Sequence, residues 1–70
     1  MEKDILLKDL GNRIREIRKE RGMSQKQLAY KIGKDKQSIQ RLESGNVNPS
    51  YIYLLQVCTG LEIELKDVLS

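Results

Sequence analysis

From Lys8 to Arg21 the apolar residues are Leu10, Ile14 and Ile17. At 100° per residue they fall on one narrow stripe, as in a helix that buries a single edge. Gly22 suits a left-handed C-cap for that helix. Ser24 and Gln27 then have capping-box spacing, with Ser24 as N-cap and Gln27 reaching back. The second helix carries Leu28, Ala29 and Ile32 inward and stops at Gly33. Asp35 is a good N-cap for a third helix, from Lys36 to about Ser44, with Ile39 and Leu42 inward. Ser50, after Pro49, caps a fourth, whose inward set is Leu54, Leu55, Val57, Cys58 and Leu61. Gly60 within it costs roughly 1 kcal/mol relative to Ala, so its last turn is expected to fray. A final short helix holds Leu65, Val68 and Leu69. No segment alternates with strand period. The pattern predicts a single all-α domain over 1–70, a compact five-helix bundle. Residues 1–7 form its lead-in, 24–45 a closely joined helical pair, and 50–69 the C-terminal helices.

The 24–45 pair is the informative part. Two helices of about eight residues joined by a very short turn have helix-turn-helix spacing, in which the second helix enters the DNA major groove. Ala29 supplies the small residue such a crossing needs, and Gly33 a turn backbone costly for other residues. On the third helix, the side opposite Ile39 and Leu42 carries Gln37, Gln40, Arg41 and Ser44. All four can donate hydrogen bonds and none is acidic. Gln can bond adenine bidentately, and Arg guanine. Lys36 adds a cation at the N-terminal end, the end that meets base edges. Glu43 is the exception. It leans toward the core, so it requires an internal partner. Arg18, at the edge of the first helix's buried stripe, is placed to form a fork-geometry pair with it.

Five blocks, in order, resemble the phage repressor/Cro family of the xenobiotic-response-element type. They are Leu10-Gly11-Asn12-Arg13-Ile14-Arg15-Glu16-Ile17-Arg18, Gly22-Met23-Ser24-Gln25-Lys26-Gln27-Leu28-Ala29, Lys31-Ile32-Gly33, Ser38-Ile39-Gln40-Arg41-Leu42-Glu43-Ser44-Gly45 and Asn48-Pro49-Ser50. The resemblance implies a lambda-repressor-like fold and double-stranded DNA as partner. It implies base contacts from Lys36 and Gln37, with Gln40 and Arg41 reaching base edges in some members. Phosphate contacts are implied for Gln25, which also braces the recognition helix, and for Ser44, Asn46 and Asn48. Arg18 and Glu43 match a buried ion pair of several members. The residue after Gly33 is usually apolar in the family. Here it is Lys34, read as a further phosphate contact in a more loosely packed turn.

Charge strengthens this reading. Residues 8–45 hold 11 Lys/Arg against 5 Asp/Glu, a local charge of +6, whereas the remainder is acidic. A basic body of this kind points to a polyanionic partner. Without His, and with a single Cys, the chain has no imidazole base, no disulfide framework and no Cys-only zinc site. No nucleophile–base pair, metal set or phosphate loop can be assembled, so enzymatic activity and a small-molecule cofactor are not expected. Ile5-Leu6-Leu7 is too short for a signal peptide or membrane span, which makes the cytoplasm the expected location. Glu62, Glu64 and Asp67 read as a solvated acidic end, Cys58 as a core thiol, and Tyr51 and Tyr53 as partly buried.

The function expected is that of a sequence-specific transcriptional regulator, more readily a repressor, acting as a homodimer on a near-palindromic operator. Two-fold repetition doubles the few base pairs that one helix reads. Ile52, turned away from the core, is expected to join Ile63 and Leu69 in a small self-complementary patch. Two alternatives are the antitoxin half of a toxin–antitoxin pair, with a toxin surface around Tyr51, Ile52 and Tyr53, and a protein-interaction module without DNA binding.

Overall fold

The computed structural model describes residues 2–69 and contains five helices, with no strand among those residues. They are α1 (Glu2–Glu20), α2 (Gln25–Lys31), α3 (Lys36–Glu43), α4 (Tyr51–Leu61) and α5 (Lys66–Leu69). α1 begins well before Lys8, so all described residues of the expected lead-in are helical. Nothing between Glu2 and Leu7 breaks a helix, and Glu2 and Asp4 in the first turn complement the helix dipole. Met1 lies outside the described residues.

The starts of the next three helices follow their caps. Ser24 Oγ accepts from the Gln27 amide while Gln27 Oε1 accepts from the Ser24 amide, completing the capping box. Asp35 Oδ1 accepts from the Ser38 amide at 2.8 Å, and Ser50 Oγ from the Tyr53 amide at 3.0 Å. The turn after α2 is closed by Gly33, at φ 72°, with Lys34 N–H donating to Ala29 O and Gly33 N–H to Tyr30 O. The same pair of bonds ends α4, but there the left-handed residue is Glu62, at φ 60°.

Ile14, Leu28, Ala29, Ile39, Leu42, Val57, Cys58, Leu61 and Val68 form the buried core. Two glycines set how closely its helices approach. A methyl group at Gly11 would meet the main-chain carbonyls of Leu42 and Glu43, the latter at 2.5 Å, so α1 rests directly on the end of α3. At Gly60 it would meet the Ile32 and Leu28 side chains, at 2.6 and 2.9 Å. The fraying expected at Gly60 therefore does not occur. The residue is buried, and α4 continues to Leu61 because the missing side chain lets α2 pack against it. Leu55, expected inward, is only half-buried and stays outside the core cluster.

Candidate nucleic-acid interface

α3 presents two chemically distinct sides. Ile39, Leu42 and Glu43 are buried. Lys36, Gln37, Gln40 and Arg41 are exposed, and among the described residues their side chains make no hydrogen bond to the protein. Four long donor side chains thus stand together on one outward surface with their hydrogen-bonding capacity unspent. The buried side fixes the rotation of the helix and so decides which residues face out.

That side is anchored through one carboxylate. Arg18 Nε donates to Glu43 Oε2 at 2.6 Å and Arg18 Nη2 to Glu43 Oε1 at 3.0 Å, the bidentate fork. Gln25 Nε2 donates to the same Oε1 at 3.0 Å, and Arg18 Nη1 donates to Met23 O at 2.7 Å. One network therefore ties α1, the α1–α2 turn, the first residue of α2 and the end of α3. Both ionic partners are almost fully out of water. Gln25 is half-buried by this attachment, with one amide proton committed inward.

Lys34, Ser44, Asn46 and Asn48 are exposed and flank the ends of α3. The Ser44 hydroxyl donates back to Gln40 O at 2.7 Å and accepts from Asn46 Nδ2 at 3.2 Å. Its proton is turned into its own helix end and is committed within the protein. Asp35, beside Lys36, has its carboxyl held below its usual value, chiefly by the Ser38 amide and then the Ser38 hydroxyl. Lys34 lies over the ring of Tyr53, whose partial burial agrees with its expected packing role.

Ile52, Ile63 and Leu69 have three different surroundings. Ile52, 63% exposed, lines a groove between α2 and α4 with Ile32, Leu55, Gln56 and Thr59. Ile63 is half-buried against the core, because the left-handed turn at Glu62 folds the chain back so that its amide reaches Cys58 O. Leu69 is exposed beside Leu6, at another groove between α1 and α5. The close approach at Gly11 was not drawn from the sequence pattern. Gly11 was signalled by a glycine inside an otherwise strong helix, a costly choice unless something approaches closely.

The helix-turn-helix family HTH_3 matches residues 14–68, and the chain belongs to that family of Cro/C1-type DNA-binding transcription regulators. Regulators of this class are not enzymes. The chain is 30% identical to the uncharacterised HTH-type transcriptional regulator YgzD of Bacillus subtilis, over 81% of this chain and 86% of the relative. Among solved structures it is similar to the restriction-modification controller protein C.AhdI of Aeromonas hydrophila. The TM-score is 0.86 at 35% identity, covering 89% of this chain and 90% of that one. The controller protein C.Esp1396I, solved as a tetramer with its natural 35-base-pair operator, gives a TM-score of 0.79 at 32% identity, over 93% of this chain and 96% of that one. No helix among the described residues is long and apolar enough to cross a membrane.

Proposed function

We propose that this regulator is a sequence-specific repressor that occupies a near-palindromic operator as a homodimer in the cytoplasm. The observation that carries the reading is the outward side of α3, where four donor side chains are exposed and unpaired above a rigidly anchored inner side. Lys36, Gln37, Gln40 and Arg41 read base edges. Gln25, Lys34, Asn46 and Asn48 hold phosphates, and Ser44 contributes once its hydroxyl is released from Gln40. Repression requires only that the bound protein cover a promoter, which a small domain can do unaided. The operator complex of C.Esp1396I supports DNA as the partner and a multimer as the bound form.

For the dimer contact we infer the α2–α4 groove, about 410 Å³, lined by Ile32, Ile52, Leu55, Gln56 and Thr59. It brings two half-buried or exposed apolar residues of α4 together without using α3, so two recognition helices remain free. Selection of bound sites from random duplex DNA tests the reading. Arg41→Ala and Gln37→Ala should each lose about 1–3 kcal/mol of discrimination between the selected site and a scrambled one. Asn48→Ala should weaken both sites alike. Equal losses on both sites for Arg41 and Gln37 would make them backbone contacts, and recovery of no preferred sequence would end the specific reading.

A further inference from the structure

The turn between α2 and α3 holds a lysine where the family resemblance leads one to expect an apolar residue. Lys34 does not hang free in solvent. Its Nζ lies 5.3 Å from the centroid of the Tyr53 ring, which reaches the turn from α4. That ring packs half-buried against the core, and its hydroxyl oxygen is buried without a hydrogen-bond partner among the described residues. Tyr53 is therefore held by packing alone and offers an aromatic face to the ammonium. The ring quadrupole attracts a cation without cancelling its charge. Asp35, the adjacent acid, is committed to the Ser38 amide as the cap of α3, and no ion pair joins it to Lys34 among the described residues. The result is a full positive charge, with unspent N–H donors, fixed at the N-terminal edge of α3. Backbone phosphates border the groove that such a helix enters.

We propose that Tyr53 is a positioning residue for DNA-backbone recognition, its ring holding Lys34 ready to take a phosphate as α3 enters the major groove. The proposal rests on the DNA-binding reading above and adds to it a residue of α4 that itself need not touch DNA. A long side chain fixed before binding loses less freedom on binding. Since the contact exists before binding, its gain is the side-chain ordering already done, a factor of about two to ten in affinity for one immobilised side chain and about two to five where the ordering is partial.

The test uses the full chain and a labelled duplex of randomised sequence, about two helical turns long, titrated at several salt concentrations. Lys34→Met should weaken binding and reduce the slope of log affinity against log salt by about 0.9, one phosphate. Tyr53→Leu should weaken binding about two- to fivefold, Tyr53→Phe should match the wild type, and Tyr53→Leu should add nothing in a Lys34→Met background. An unchanged slope for Lys34→Met, or wild-type affinity for a folded Tyr53→Leu, overturns the proposal. Thermal unfolding of each variant separates these outcomes from loss of fold. Should Tyr53→Leu fail to fold, the Lys34 ε-methylene protons decide. An upfield ring-current shift in the wild type and in Tyr53→Phe supports the contact, and its absence overturns it. Wild-type protein that fails to bind the duplex even at low salt overturns DNA binding itself, a result distinct from binding with unaltered slopes.

Discussion

Glu43 sits where a carboxylate is least at home. It is at the C-terminal end of α3, where the helix dipole disfavours an anion, and it is almost out of water. Three charge-assisted bonds from Arg18 and Gln25 compensate. Removing one partner strands the other, so Arg18→Ala should cost about 3–5 kcal/mol in denaturant unfolding. Adding Glu43→Ala to it should cost much less than the sum of the two single losses, and strictly additive losses would refute the pair. The sequence made this pair legible through helical angles alone, since both residues lie at the margins of buried stripes. Gln25's attachment was not legible as geometry, because a polar residue at the first position of a helix has no periodicity to place it. Asp35 makes a second residue-scale prediction. Its folded carboxyl titrates below the ordinary 3.8, so its contribution is present above about that pH and is lost as pH falls through the lower, folded value. Asp35→Asn should therefore flatten part of the acid limb of stability against pH, and an unaltered limb would show that the cap contributes nothing ionic.

At the scale of elements, α3 is positioned by how closely α1 approaches it. Gly11 has no room for a methyl group against the carbonyls of Leu42 and Glu43, and backbone cannot rotate away as a side chain can. Gly11→Ala should thus destabilise by about 1–3 kcal/mol despite its better helix propensity. A gain in melting temperature would mean that α1 can slide on α3. The same substitution, judged from propensity alone, would be expected to stabilise. That reversal explains what the pattern could and could not give at this scale. Helix starts were readable from Ser24, Asp35 and Ser50, whose side chains do the capping themselves. The end of α4 was not, since Glu62 takes the left-handed conformation with no glycine to announce it. The early start of α1 was hidden too, because its first two turns leave Ile5 and Leu6 exposed and show no buried stripe.

Across the whole molecule, the proposed DNA contact and the proposed self-association contact fall on different surfaces. α3 and its flanking loops carry the exposed donors, while the apolar groove of α4 opens elsewhere, between α2 and α4. Ile52→Glu should shift sedimentation toward the monomer and weaken operator binding, leaving the monomer's unfolding free energy within about 0.5 kcal/mol of the wild type, as for other exposed positions. Unchanged sedimentation would remove α4 from the interface. Ile52 was legible as an outward β-branched residue on a helix whose Leu54, Val57, Cys58 and Leu61 point in. The packing of Ile63 was not, because that depends on where the chain turns after α4, and the turn at Glu62 draws Ile63 back onto the core.

Cys58 lies in the core at 3% exposure, and burial, followed by the nearby Asp67 charge, raises its thiol above the usual value. A closed molecule therefore offers a thiol reagent little access and less thiolate than a free cysteine. Alkylation must wait for α4 to swing off its neighbours, so its rate measures how often the fold opens. The chain has no other cysteine, and each modification event counts one opened molecule. Any ligand that binds only the closed form slows this clock by the factor 1 + [L]/Kd. DNA held on α3 should then be recorded by a sulfur atom it never touches, and a pool of unsorted fragments could be ranked by protection before a single base of the operator is known.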